Sequence, residues 1–110
     1  MTSISDSDYK SFCSDLIQRA MEKPGMYFKS LKDLEYLLYG HQEAFEKLGA
    51  ILHLNGFYFR FADWLHSLTG ESNAAGWAFA LEELAKNKKE DPLVVFAMLA
   101  GQFIAEWRSM

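Results

Sequence analysis

The dipeptide Asp91-Pro92 constrains this chain more than any other feature. Aspartate at an N-cap offers its carboxylate to the backbone N–H groups of the first helical turn. Proline at the next position lacks an N–H that would find no partner there anyway. The pair predicts a helix that starts at residue 92 and runs to about 108. That helix is apolar on nearly all sides, with Leu93, Val95, Phe96, Met98, Leu99, Phe103, Ile104 and Trp107. A helix without a polar face belongs inside a bundle, so the sequence places it centrally and requires amphipathic helices around it.

Those helices are legible in the spacing of apolar residues. Tyr9, Phe12, Cys13, Leu16, Ile17, Ala20 and Met21 form one stripe. Ser5 and Asp8 cap it and Lys23-Pro24-Gly25 stops it, which predicts a helix over about 6–22. Ser30 with Asp33 opens a second helix over about 31–48, apolar at Leu31, Leu34, Leu38, His41, Phe45 and Leu48. Gly40 inside it points to a kink or a close helix crossing, and Gly49 ends it. Residues 50–55 are too few to classify by period and read as a buried connector or an extra helical turn. Phe57, Phe61, Trp64, Leu65 and Leu68 define a third helix over about 56–69. A fourth over about 74–86, with Ala75, Ala78, Leu81, Leu84 and Ala85 as its apolar positions, has Ser72 or Asn73 as its expected cap. No alternating strand or hairpin turn interrupts the pattern. The expected fold is all-α: one single-domain bundle of about five helices.

Composition excludes several classes of protein. With 110 residues the chain can bury roughly two-thirds of its surface, enough for one core. Half of the residues are apolar and the formal charge is −4, so the chain is too hydrophobic to stay disordered. No apolar run is long enough to span a membrane, and the opening residues lack a signal-peptide pattern. Cys13, the single cysteine, has no internal partner. A reducing cytoplasm is the expected address.

Searching for chemistry returns little. His41, His53 and His66 are not at metal-ligand spacing, and no glycine-rich phosphate loop is present. Cys13 and His41 lie on apolar stripes, where buried packing residues are the usual occupants. Asp63 and His66 fit an ordinary surface pair. The only basic cluster, Lys86-Asn87-Lys88-Lys89, is followed at once by Glu90-Asp91, and an acidic molecule does not favour nucleic acid. A non-enzymatic protein without metal or cofactor is the expectation. A minor alternative is a ligand pocket among Phe61, Trp64, Trp77 and Met98.

The second helix carries another pattern. Glu35, Tyr39, Gln42, Glu43 and Glu46 recur at helical spacing, with Asp33 and Tyr36 beside them. Like charges four residues apart weaken a helix unless something outside compensates, and tyrosine contributes large contact area with a polar tip. These seven residues are the candidate partner-binding face. Glu82 and Glu83 are a second acidic candidate.

Lys23-Pro24-Gly25-Met26-Tyr27, then Ser30-Leu31, then Leu38-Tyr39-Gly40-His41, resembles the "RPGMY" opening of a family of small bacterial all-helical proteins. The aromatic helix Phe57–Leu68, Gly76-Trp77 and the aromatic last helix Phe96–Trp107 extend the resemblance over about residues 16–107. The departures are Lys23 in place of arginine and Phe28-Lys29 where an aliphatic residue and glycine are usual. Several members resemble immunity proteins of contact-dependent growth inhibition and other polymorphic toxin systems. The resemblance implies a cytoplasmic protein that binds a cognate toxin domain, basic and nuclease-like, and blocks its active site or substrate entry. It implies no membrane partner, and a monomer or weak dimer when free. The other reading is a non-enzymatic oligomeric regulatory or adaptor module.

Overall fold

In a computed structural model of the chain, the described residues are 5–23, 29–70 and 75–109. They form α1 (Asp6–Glu22), α2 (Leu31–Lys47), a short 3-10 turn (His53–Asn55), α3 (Phe57–Thr69), α4 (Trp77–Lys88) and α5 (Pro92–Arg108). The architecture is an all-α single-domain bundle.

Local capping chemistry sets several of these ends. Ser5 Oγ accepts from the Asp8 N–H at 3.1 Å while the Asp8 carboxylate accepts from the Ser5 N–H at 2.9 Å, a complete capping box. Those hydrogen bonds hold the Asp8 carboxyl below its ordinary pKa. Ser30 Oγ accepts from the Asp33 N–H at the start of α2, and Asp91 Oδ1 accepts from the Leu93 N–H at the start of α5. α2 ends where Gly49 turns to φ +78 and the Ala50 N–H reaches back to the Phe45 carbonyl at 3.0 Å.

Three local expectations change. α2 runs unbroken through Gly40, and a Cβ there would meet nothing within 4 Å, so no helix crosses closely at that point. Between α2 and α3, Ile51 is buried, but the 3-10 turn leaves Leu52 and Leu54 in solvent. α4 begins at Trp77 because Gly76, its N-cap, adopts φ +94, outside the helical region. The expected caps Ser72 and Asn73, like the turn at Pro24-Gly25-Met26-Tyr27, lie outside the described residues.

The core combines aliphatic side chains with a cluster of aromatic rings. Phe57, Phe61, Trp77, Phe96, Phe103 and Trp107 interlock; Trp77 stacks on Phe96 at 5.3 Å and Phe103 on Trp107 at 5.3 Å. Offset and edge contacts of this kind are favourable beyond the area they bury. Phe61 and Trp77 therefore fill one another's space, and Trp64 donates its indole N–H to Glu106 Oε2 at 2.7 Å. Of the four residues of the alternative ligand pocket, Phe61 and Trp77 are buried in this ring cluster, Trp64 is half-buried against it and Met98 is half exposed.

α5 packs against α1, α3 and α4, with Val95, Phe96, Leu99, Ala100, Phe103, Ile104 and Trp107 inward. It is not enclosed on all sides. Val94 is 62% exposed and Met98 50% exposed, and Ala97, Gly101 and Ala105 share their side. Among the described residues, no helix is long and apolar enough to cross a membrane.

Candidate protein-binding face on the second helix

The structure divides the seven candidate residues of α2 into an inner and an outer set. Glu35 is 3% exposed and Gln42 is fully buried, so neither belongs to an outward acidic face. The physical reason lies at the starts of the next two helices. α3 and α4 have glycine N-caps, Gly56 and Gly76, whose missing side chains cannot satisfy the first N–H groups. α2 does it for both.

Glu35 Oε2 accepts from the Ala78 N–H at 2.9 Å in the first turn of α4. A carboxylate there also meets the positive end of the helix dipole. Gln42 Oε1 accepts from the Tyr58 N–H at 3.0 Å in the first turn of α3, and its Nε2 donates to the His53 carbonyl at 3.1 Å. Beside it, the Tyr9 hydroxyl accepts from the Phe57 N–H at 2.8 Å. Both glycines are needed for this approach. A Cβ on Gly76 would lie 2.6 Å from Glu35 Oε2, and one on Gly56 would lie 1.9 Å from Gln42 Cδ. Glu35 and Gln42 stand seven residues apart, two turns along one side of α2, and join three helices.

Asp33 is also committed locally, since its carboxylate accepts from the Lys29 N–H at 3.3 Å at the N-terminus of α2. The outer set is Tyr36, Tyr39, Glu43 and Glu46. Tyr36 is 64% exposed, with the Lys32 ammonium 5.6 Å from its ring centre. Glu46 is half-buried, and its Oε1 accepts from His53 Nδ1 at 2.6 Å. Tyr39, Glu43, Glu46, Lys47 and His53 surround a shallow hollow of about 230 Å3.

Residues from outside α2 complete this face. Tyr39 meets Tyr58 edge-on at 5.1 Å, Tyr58 meets Phe59 at 5.1 Å, and Phe59 meets His53 at 4.8 Å. Burial, then the charge of Glu35 and the hydroxyls of Tyr39 and Tyr36, push the Tyr58 hydroxyl above its ordinary pKa and keep it neutral. The result is a chain of rings, half-buried at Tyr39, Tyr58 and Phe59 and exposed at His53, flanked by carboxylates and held at one end by the Glu46–His53 contact. Charge on the outer side of α2 is nearly balanced, because Lys32 and Lys47 accompany Glu43 and Glu46. The face is better described as aromatic with two carboxylates than as acidic.

No protein-family model, curated protein or solved structure matches the chain.

Elsewhere, Cys13 is buried and its thiol is pushed up to about 12 by desolvation, which leaves it protonated. Among the described residues, no group of three or more His, Cys, Asp or Glu side chains is placed to hold a metal ion. Glu82 is exposed and Glu83 half-buried on α4, and Glu82 lines a hollow with Lys29, Ser30 and Leu31 at the start of α2.

Proposed function

We propose that this chain is an immunity protein that binds and neutralises a cognate bacterial toxin domain, a nuclease of a contact-dependent growth inhibition system, by covering its active site or substrate entry. The observation that carries the reading is the ring chain Tyr39–Tyr58–Phe59–His53 beside Glu43 and Glu46. Tyrosine-rich patches bind proteins well because a rigid ring brings large area at little cost in side-chain entropy. Here the rings are ordered before any partner arrives, since Gln42, His53 and Glu46 tie α2, the 3-10 turn and α3 together.

Electrostatics acts at two ranges. The net charge of −4 draws a basic partner from a distance, while Glu43 and Glu46 provide short-range pairing for arginines or lysines that would otherwise hold phosphate. The resemblance to immunity proteins supplies the identity of the partner.

The test is protection in cells. The C-terminal domain of whatever protein the gene immediately upstream encodes is expressed with and without this chain, and growth is scored; an upstream product that is not toxic also counts against the reading. Wild type is expected to protect, and Tyr36→Ala combined with Glu43→Lys to lose protection while its melting temperature stays within about 2 °C. Full protection by the double variant would remove α2 from the interface. Failure of wild type to protect would remove the immunity reading itself.

A further inference from the structure

We propose that the exposed face of α5 is the interface of an antiparallel homodimer. From Pro92 to Ala105 this helix has no charged residue, and Gln102 is its only polar side chain. The outward faces of the other described helices carry charge: Asp15 and Arg19 on α1, Lys32 and Glu43 on α2, Arg60 and Asp63 on α3, Glu82 and Lys86 on α4. On α5 the outward residues are Val94, Ala97, Met98, Gly101, Gln102 and Ala105, so the face is apolar apart from Gln102, which the axis described below sets opposite the second copy's Ala97. A helix apolar all round is expected to be covered on every side, and in one copy of this chain α5 is not. The face continues into a groove of about 530 Å3 between α1 and α5, lined by Ile17, Met21, Ala97, Gly101, Ile104 and Ala105 among others.

The occupant that fits is a second copy. The face is graded along its length, with Val94 and Met98 as its large side chains toward the N-terminus and Gly101 and Ala105 as its small ones toward the C-terminus. A two-fold axis perpendicular to α5 between Leu99 and Ala100 runs the two helices antiparallel. It sets Met98 opposite the second copy's Gly101 and Val94 opposite the second copy's Ala105, twice over, so each large side chain meets a small one. Space is present at the glycine, where an added Cβ would touch nothing within 4 Å. The same axis brings Arg108 opposite the second copy's Asp91, with Glu90 next to it. All three are exposed, so opposite charges close both ends of the apolar strip. These outward residues expose less than the ~800 Å2 per partner of a stable specific interface. The dimer is therefore reversible and concentration-dependent. It uses α5 and not α2, and so stands independently of the proposed function.

Sedimentation velocity of the full chain from about 10 μM to about 1 mM is the test. Wild type is expected to rise from monomer towards dimer mass over that range. Gly101→Gln, a better helix former at an exposed site that fills the space for Met98, is expected to fold at least as stably and remain monomeric. Orientation is read by mixing Val94→Cys with Ala105→Cys chains under mild oxidation, where the mixed disulfide should dominate over either homodisulfide. A monomer throughout the range overturns the proposal and leaves the face to a different protein. Undiminished association of Gly101→Gln overturns it too, and dominant homodisulfides overturn the antiparallel arrangement.

Discussion

Replacing Glu35 with alanine separates the two roles that its position on α2 could have. The carboxylate accepts the Ala78 N–H at 2.9 Å in a site that is 3% exposed. A hydrogen bond to a charged group contributes ~1.5–3 kcal/mol, and the Ala78 donor would be left without that acceptor. The interaction with the α4 dipole adds ~0.3–1 kcal/mol. Together these give about 3 kcal/mol, which in a domain of this size lowers Tm by about 12 °C. Circular dichroism melting measures it directly. Glu35→Gln retains an acceptor of the same shape and should lose only about a third as much. A companion cycle tests the geometry: Gly76→Ala alone should destabilise through both the 2.6 Å approach to Glu35 and the strained φ of +94. Combined with Glu35→Ala it should cost less than the sum, because the clash is gone. A Glu35→Ala protein melting within about 2 °C of wild type would refute the assignment of Glu35 as the cap of α4.

Other expectations follow from the same contacts. Gln42→Ala should lower stability by ~2–3 kcal/mol, since it leaves the Tyr58 N–H and the His53 carbonyl without their partner, and urea unfolding measures this. Gly40→Ala should raise stability by ~0.5–1 kcal/mol, because the site is exposed, helical and open to a Cβ. Alkaline pH should destabilise the fold. Burial raises the folded-state pKa of Cys13 to about 12 and that of Tyr9 above its ordinary value. Each group's contribution is complete below its unfolded pKa and is lost as pH rises from there towards the folded pKa, with a slope of up to ~1.4 kcal/mol per pH unit. The decline should begin near pH 9, where the Cys13 thiol titrates in the unfolded chain. Cys13→Ala should move its onset towards pH 10, where Tyr9 titrates in the unfolded chain. A flat stability profile between pH 8 and pH 11 would contradict this.

Helix ends that depend on neighbouring residues were readable in the sequence, because capping is local chemistry. Ser5 with Asp8, Ser30 with Asp33, and Asp91 with Pro92 all act within one turn. The all-α class followed from the periodicity between those ends. The seven-residue face on α2 was harder to read, since a helix wheel does not reveal what lies against its border. Gln42 is four residues beyond Leu38 and Glu35 follows Leu34, so both sit at the edge of the apolar stripe, where tertiary contacts decide their direction. A signal was nonetheless present in Gly56-Phe57 and Gly76-Trp77. A helix that opens on glycine before a large aromatic lacks its own cap, and a buried polar side chain elsewhere must supply it. The outer face also draws on Tyr58, Phe59 and His53, which periodicity did not single out because they fall between stripe positions on α3 or in the 3-10 turn. α5 was expected to be central from its composition. One side of it is uncovered, because composition sets how apolar a helix is and not which of its sides its own chain covers.

The proposed function sets the ordered aromatic and carboxylate surface of α2 and α3 against a protein partner. The decisive measurement is calorimetric titration of the C-terminal domain of the upstream gene's product into wild type and into Tyr36→Ala/Glu43→Lys. The account predicts saturable one-to-one binding by wild type and at least about tenfold weaker binding by the double variant, with both proteins melting at the same temperature. Equal affinities for the two would contradict it.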